Sequence, residues 1–179
     1  MGRKPTISRD RLLTIAEDIV NIEGPQALTI DALAKAAGIS KGGVQYSFSS
    51  KDELVKGLVD RWTTQFDALV ADIESVGPIG FVLSYIAAMR TSQGTIDAKL
   101  AGLMIAYMQN PQNRMETANW YRSILSRMGD SKEARAARTA FLAVEGLFTL
   151  RIWGAEDSVD LQSQLDDIEA MLLRDGARN

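Results

Sequence analysis

The chain has 179 residues, 46% of them hydrophobic, and a formal net charge of −3. This length and hydrophobic content suit one compact unit, or a small domain joined to a larger one, and argue against bulk disorder. The chain contains neither Cys nor His, which excludes a disulfide framework, a zinc site and a Ser-His-Asp triad.

Charge is distributed unevenly along the chain. The first 60 residues carry eight basic and eight acidic residues, whereas the remainder carries 12 basic and 15 acidic residues. Four of the five charged residues among the first eleven are basic, namely Arg3, Lys4, Arg9 and Arg11. A basic arm and a neutral N-terminal part on an acidic body fit a protein that meets DNA at one end.

The first helix is predicted to begin at Ser8 and to end at Gly24-Pro25. The segment from Thr29 to Lys51 then has the pattern of two short helices joined by a tight turn. Thr29 is a candidate N-cap for the first helix, and Gly38 stands where a helix ends in a left-handed residue. Ser40 can cap a second helix that starts at Lys41. This is the plan of a helix-turn-helix, whose second helix enters the DNA major groove.

The second helix carries side chains that can read base edges. Lys41 can pair with a phosphate or with guanine acceptors, Gln45 can bind adenine with two hydrogen bonds, and Val44 can meet a thymine methyl group. Gly42 and Gly43 each reduce helix propensity by about 1 kcal/mol relative to Ala. Close approach of the backbone to DNA is a physical reason to tolerate that loss.

Four further residues are positioned to hold phosphates through hydroxyls, helix-start amides or an ammonium group, namely Thr29, Ser40, Tyr46 and Lys51. The alternative is structural, with Tyr46 packing inside the N-terminal domain and Ser40 acting only as a cap. We favour DNA contact for Lys41, Gln45 and Tyr46, and internal packing for Phe48.

Ser50 and Glu53 form a capping-box pattern that predicts the start of a longer helix. Its apolar face continues to about residue 74, which corresponds to roughly 30–35 Å. Gly77-Pro78 breaks the helical pattern. Five more helices are predicted at about residues 79–91, 97–109, 112–128, 131–153 and 158–174, which makes nine helices and no strand in all.

The N-terminal part resembles the TetR family of transcriptional regulators. The resemblance is carried by Ala16, by Gly24, by the run Thr-Ile-Asp-Ala-Leu-Ala-Lys-Ala-Ala-Gly-Ile-Ser-Lys-Gly at 29–42, and by Phe48, Ser50, Lys51 and Leu54. It covers about residues 8–58, a third of the chain. It implies a homodimeric, all-helical repressor whose body binds a small molecule that makes the DNA-binding domains incompatible with the operator. Gln45 stands where the family often has a tyrosine, although a subgroup with a Lys-Gly-Gly recognition helix followed by Tyr looks similar.

We therefore predict an all-α fold with two parts. Residues 1–50 form a three-helix helix-turn-helix domain with a basic N-terminal arm, called the head below. Residues 51–179 form a larger helical domain for ligand binding and dimerisation, called the body below.

Large side chains of the body can line an apolar cavity for a neutral or amphipathic organic ligand, or pack an ordinary helical core. These residues are Tyr85, Met89, Met104, Tyr107, Met108, Trp120, Phe141 and Phe148. Glu145 is the only charged residue in the segment 139–150. It can fix a cationic or hydroxylated ligand, or it can pair with an arginine such as Arg151 at an interface.

The last two helices indicate dimerisation, because each carries apolar residues at helical spacing. The residues predicted for the dimer interface are Ala136, Ala140, Ala143, Leu147, Leu161, Leu165, Ile168 and Leu172. Two such helices from each subunit can form a four-helix interface. Two-fold symmetry then places the recognition helices roughly 34 Å apart, or slightly more, and predicts a pseudo-palindromic operator.

The sequence predicts a ligand-responsive DNA-binding regulator, most simply a repressor, with double-stranded DNA, a small molecule and a second copy of the chain as partners. A helical sensor without specific DNA binding is the alternative. An enzyme is disfavoured, because no constellation of carboxylates, Lys, Tyr and Ser is evident. We expect no metal, cofactor or membrane partner. Because no apolar run approaches the roughly 18–20 residues that span a bilayer, and Cys is absent, we expect a cytoplasmic protein.

Overall fold

A computed structural model of the protein describes residues 7–92, 98–153 and 160–176. Within these ranges the chain forms nine α-helices and one 3-10 turn and contains no β-strand, which confirms the all-α prediction. The elements are α1 (Arg9–Glu23), the 3-10 turn (Pro25–Ala27), α2 (Ile30–Ala37), α3 (Lys41–Gln45), α4 (Lys51–Asp67), α5 (Ile73–Thr91), α6 (Ala98–Gln109), α7 (Pro111–Arg127), α8 (Lys132–Ile152) and α9 (Leu161–Gly176). Over the same ranges, none of the helices has the length and apolar character needed to cross a membrane.

Side-chain caps determine where the three helices of the head begin. The hydroxyls of Ser8, Thr29 and Ser40 each accept a hydrogen bond from the backbone N–H three residues later, at 3.2, 3.0 and 3.2 Å. Gly38 ends α2 in the left-handed conformation, with φ of 65°. These four predictions are confirmed, because caps and left-handed turns depend on the chemistry of neighbouring residues alone.

One of the two hydrogen bonds of the capping box predicted for α4 is confirmed. Ser50 Oγ accepts from the backbone N–H of Glu53 at 3.2 Å. The Glu53 carboxylate turns to Ser49 instead of Ser50, and accepts from its backbone N–H at 2.8 Å and from its hydroxyl at 2.7 Å. These two bonds hold the pKa of Glu53 below its usual range.

The prediction that α4 continues to about residue 74 is wrong. The helix ends at Asp67, and its 17 residues span about 25 Å. The following residues leave the helical path because distant partners bind them. The backbone N–H of Ala71 donates to Ser84 Oγ on α5 at 2.9 Å, and Arg127 on α7 binds the carboxylate of Asp72 at 2.7 Å.

The predicted break at Gly77-Pro78 is confirmed as a kink inside α5. Gly77 has φ of 71°, a left-handed value that side chains disfavour, and Pro78 follows it. The predicted bounds of α7 and α8 agree with the structure to within one residue. The starts predicted for two helices, at Asp97 and at Ser158, lie outside the described residues.

The buried side chains form two clusters. The first joins α1–α4 and continues into the body through Leu103 and Tyr107 of α6. Here α6 also approaches the 3-10 turn closely, since a Cβ added at Gly102 would lie 2.5 Å from Pro25 Cγ. The second cluster lies between α5, α7, α8 and α9 and includes the fully buried Phe141. The head therefore packs on the body through both α4 and α6.

The predicted dimer interface is wrong for Ala140, Leu165 and Leu172. These side chains are at most 1% exposed and belong to the core of a single subunit. Four more of the predicted residues are partly buried against that same core, namely Ala136, Leu147, Leu161 and Ile168. Ala143 is also partly buried. The reason is that α8 and α9 direct this face toward each other and toward α5.

Candidate nucleic-acid interface and ligand cavity

Helix α3 is anchored to the head by one side chain. Val44 is fully buried and belongs to the cluster that also contains Leu33 and Phe48. The predicted contact of Val44 with a thymine methyl group is therefore wrong, because its side chain faces the protein core. The predicted packing role of Phe48 is confirmed, since this ring is also fully buried.

The opposite side of α3 faces solvent. Lys41, Gly43 and Gln45 are exposed, and the side chain of Tyr46 is 89% exposed at the end of the helix. The alternative in which Tyr46 packs inside the head is therefore excluded. Tyr46 adds a phenol to a surface that already offers an amide and an ammonium group, and such groups bind phosphates and base edges.

Lys41 has an intramolecular partner that DNA can replace. Its Nζ lies 3.0 Å from Asp31 Oδ2 on α2, and both side chains are largely exposed. Ion pairs of this kind contribute roughly 0–1 kcal/mol to stability. Little free energy therefore opposes transfer of the ammonium group from Asp31 to a phosphate or a guanine.

The remaining predicted contacts lie around α3. Thr29, Ser40 and Lys51 are exposed at the starts of α2, α3 and α4. These are the positions where backbone N–H groups point outward and favour anions. Their contacts with phosphates stay predictions. Arg3 and Lys4 of the predicted basic arm lie outside the described residues.

The two glycines of α3 differ in what surrounds them. A Cβ on Gly43 would lie 3.2 Å from Ile39 Cδ1, which is a tight contact. A Cβ on Gly42 would find no described atom nearer than Ser40 Oγ, at 4.0 Å. Internal packing thus explains why glycine occupies position 43. No packing contact within the described part of the chain explains the glycine at position 42.

The body contains a cavity of about 500 Å³ between α4, α5, α6, α7 and α8. Seven of the nine residues predicted to bind a ligand line it, namely Tyr85, Met89, Met104, Tyr107, Trp120, Glu145 and Phe148. The prediction is wrong for Phe141 and Met108. Phe141 is fully buried behind the cavity, where its ring contacts Tyr85, and Met108 packs against the core of the head.

Several lining residues were not predicted, including Trp62, Phe66, Asp67 and Tyr121. Trp62 and Phe66 belong to the apolar face that the sequence predicts for α4, but periodicity alone does not distinguish a cavity wall from a core. Nothing in the sequence pattern indicated Asp67.

Glu145 is held in the cavity wall by two phenols. Its two carboxylate oxygens accept hydrogen bonds from the hydroxyls of Tyr85 on α5 and Tyr121 on α7. Burial, and then the charge of Glu145, raise the pKa of both tyrosines above the usual range, so both remain protonated donors. Glu145 thus has tyrosine partners within its own subunit.

Trp62 links the cavity to the head. Its ring lines the cavity, and its Nε1 donates a hydrogen bond to Glu17 Oε1 on α1 at 2.9 Å. The neighbouring Arg61 strengthens the same contact between helices. Its Nη1 donates to Thr14 Oγ1 at 3.1 Å and lies 3.6 Å from Glu17 Oε2.

Comparisons with known proteins match both parts of the chain. Residues 12–58 match the family model "Bacterial regulatory proteins, tetR family", and residues 80–173 match "Tetracyclin repressor-like, C-terminal domain". A 61-residue stretch is 34% identical to an uncharacterized HTH-type transcriptional regulator encoded in the dhlA 5' region of Xanthobacter autotrophicus. That match covers 34% of this chain and only 30% of the relative.

Two solved structures share the fold. A transcriptional regulator of the TerR/AcrR family from Aquifex aeolicus VF5 matches with a TM-score of 0.58 and 15% identity, over 92% of this chain and 96% of that one. A TetR-family transcriptional regulator from Marinobacter aquaeolei VT8 matches with a TM-score of 0.55 and 14% identity, over 93% and 89% of the two chains. At these identities the likeness concerns the fold.

We expect Gly42→Ala to separate stability from DNA binding. Outside the helix's own backbone, the nearest described atom to the methyl group is Ser40 Oγ at 4.0 Å, so the higher helix propensity of Ala is expected to raise the free energy of unfolding by up to about 1 kcal/mol. If DNA lies against this backbone, the same methyl group weakens operator binding. Urea unfolding and fluorescence anisotropy with labelled operator measure the two effects.

The control is Ala118→Gly, at an exposed position of α7. It is expected to lower stability by about the same amount and to leave operator affinity unchanged. Wild-type operator affinity in the Gly42→Ala variant would contradict a close approach of DNA at this residue.

Proposed function

The chain belongs to the TetR family of bacterial regulatory proteins, and on that premise we propose that it is a ligand-controlled repressor in the cytoplasm. It binds a pseudo-palindromic operator as a homodimer, and a small molecule in the cavity releases it. Members of this family are DNA-binding transcriptional regulators and are typically non-enzymatic. The function is therefore regulation of transcription, and the operator, the dimer and the release by a ligand are the proposed parts.

The observation that carries the proposal is the pair of opposite faces on α3. Val44 fixes the helix to the core, while Gln45 and the 89% exposed Tyr46 point outward. Tyr46 combines an apolar ring with a hydroxyl that can reach a phosphate, and side chains of this kind are enriched at interfaces. In the proposed complex Gln45 reads a base edge, and Tyr46 and Lys41 hold the DNA backbone.

Phosphate contacts position this helix on the duplex. We assign them to Thr29, Ser40 and Lys51, at the starts of three helices, and to Arg3 and Lys4 of the N-terminal arm. Such contacts supply affinity that depends on salt, whereas Lys41 and Gln45 supply the selectivity among sequences.

Release by a ligand requires a physical connection between the cavity and the head, and two helices supply it. Trp62 of α4 lines the cavity and binds Glu17 of α1. Tyr107 of α6 lines the cavity and also belongs to the core of the head. A ligand that displaces either side chain changes the packing of the head on the body. The ligand lowers operator affinity only by as much as it binds the DNA-free conformation of the protein more tightly than the DNA-bound conformation.

We place the dimer interface on the exposed face of α8. Leu142, Gly146, Leu150 and Trp153 recur at intervals of three or four residues, and each is exposed in the subunit. They form one stripe along the helix, and Met171 of α9 is a further exposed apolar side chain. Burial of this stripe against its symmetry copy would remove it from water and would pair the two heads.

Selection of bound sequences from a random pool of double-stranded DNA tests the proposed function. We expect enrichment of an inverted repeat whose half-sites lie about one helical turn apart, with specific binding that persists at salt concentrations that abolish nonspecific binding. Compounds are then screened for release of the enriched operator. Absence of any enriched sequence would indicate the alternative, a helical sensor that does not read DNA.

We expect Trp62→Phe to weaken the connection between the cavity and the head. Phe keeps an aromatic wall in the cavity but removes the N–H group that binds Glu17. A compound that releases the operator should therefore bind the free variant with nearly wild-type affinity, and its effect on operator affinity should fall several-fold. Calorimetry without DNA and anisotropy with DNA measure the two quantities.

Trp120→Phe is the matched control, because Trp120 lines the same cavity but packs in the core of the body and makes no hydrogen bond to the head within the described part of the chain. It should leave the coupling between ligand and operator unchanged. Full coupling in the Trp62→Phe variant would show that the hydrogen bond to Glu17 does not transmit the signal.

We expect Leu142→Glu to convert the dimer into monomers. In the proposed dimer the substitution places two carboxylates in an apolar interface, which is strongly unfavourable. Met115→Glu is the control, because Met115 on α7 is 52% exposed, the same fraction as Leu142. Sedimentation velocity at micromolar concentration should show a monomer for Leu142→Glu and a dimer for Met115→Glu. A dimeric Leu142→Glu variant would place the interface elsewhere.

A further inference from the structure

The charged residues that line the cavity are all acidic. They are Asp67, Glu116 and Glu145, and no Lys or Arg is found among the described residues of the lining. One of the three charges is compensated, since Lys56 Nζ lies 3.1 Å from a carboxylate oxygen of Glu116. The other two carboxylates decide the electrostatic character of the site.

Asp67 is an acid in an unfavourable position. It is the last residue of α4, where the helix dipole presents its negative end. No hydrogen bond and no opposite charge from the described part of the chain acts on its carboxylate. Asp67 is on the solvent-exposed side of the cavity wall, where partial burial raises the pKa of its carboxyl group above the usual value. Water therefore solvates this carboxylate, and no described protein group neutralises its charge.

Glu145 carries a second charge into the same space. Its partners, Tyr85 and Tyr121, are neutral phenols, so they solvate the carboxylate without cancelling its charge. Asp67 directly follows Phe66, whose ring centroid lies 4.9 Å from that of Tyr85, the phenol that binds Glu145. Two negative charges thus converge on one region of the cavity.

The remaining wall is rich in aromatic rings. Trp62, Phe66, Trp120 and Tyr121 line the cavity together with Tyr85. The faces of such rings attract cations, and Trp attracts them most strongly. An aromatic wall beside uncompensated carboxylates combines two independent reasons to bind positive charge.

We propose that the effector is a lipophilic organic cation. Its positive centre lies between Asp67 and Glu145, and its apolar body packs against the rings of Trp62 and Trp120. This inference rests on the proposed function only in taking the cavity as the effector site. It narrows the sequence-based expectation of a neutral or amphipathic ligand to an amphipathic cation, and it favours the cationic alternative for Glu145.

Three probes of similar shape test the charge preference. Tetraphenylphosphonium is a cation, tetraphenylborate is an anion of nearly the same size, and triphenylphosphine oxide is a smaller neutral compound. Calorimetric titration of the full chain without DNA should give an affinity for the cation on the order of tenfold or more above that for the anion. Equal affinities, a preference for the anion or absence of saturable binding would each overturn the inference.

Two variants of α4 then assign the preference to the cavity. Asp67→Asn should lower affinity for tetraphenylphosphonium about tenfold and leave affinity for triphenylphosphine oxide unchanged. It should also raise the melting temperature slightly, because it removes a negative charge from the C-terminal end of a helix. Asp52→Asn makes the same change in net charge at the opposite end of α4, roughly 22 Å away, and should leave cation binding unchanged.

A purely structural role for Asp67 predicts the reverse pattern. The Asp67→Asn variant would then be less stable than the wild type and would bind each of the three probes with wild-type affinity. That result would reject the assignment. The inference and the proposed function fail separately. Selective cation binding that does not release the selected operator rejects regulation through this cavity, whereas release by neutral compounds alone rejects the organic cation.

Discussion

The structure depends on one constraint, which is that α4 must complete two cores with a single apolar face. Its first half places Leu54 and Leu58 in the core of the head, and its second half places Trp62 and Phe66 along the cavity. A rigid helix of about 25 Å cannot adjust one half without moving the other. The Trp62–Glu17 hydrogen bond and the Arg61–Thr14 hydrogen bond add polar contacts at the junction of the two halves. These contacts are the path along which, in the proposed mechanism, a change in the cavity reaches α1.

The parts of the fold that sequence predicted are those fixed by local chemistry. Ser8, Thr29 and Ser40 cap helices through hydrogen bonds that span three residues, so the pattern contains all that the geometry requires. The end of α4 could not be predicted in this way. It depends on Ser84 and Arg127, which lie far along the chain and act only once α5 and α7 have packed. Apolar spacing continued past Asp67 because Ile73 is buried in a different helix.

In the candidate sites, the sequence predicts which residue types are present but not which way their side chains point. Composition and spacing were enough to select Tyr85 and Trp120 for a cavity, but periodicity gives faces of a helix without saying what each face meets. For that reason Val44 was predicted to face DNA, and Ala140 and Leu165 were predicted to face a second subunit, although all three are buried in one subunit. Glu145 was correctly singled out as an isolated charge, whereas its two tyrosine partners come from helices that only the fold brings together.

The charges of the cavity and the connection to the head lie on the same end of the same helix. Asp67 is five residues beyond Trp62, and both line the cavity. A ligand shifts an equilibrium only by its difference in affinity for the two states, so a residue that senses the ligand is most effective where the two states differ. Asp67 is exposed, so water solvates its carboxylate in the empty cavity, and in the proposed complex its charge attracts the bound cation. That attraction acts at the end of α4, the helix that packs on both the cavity and the DNA-binding domain.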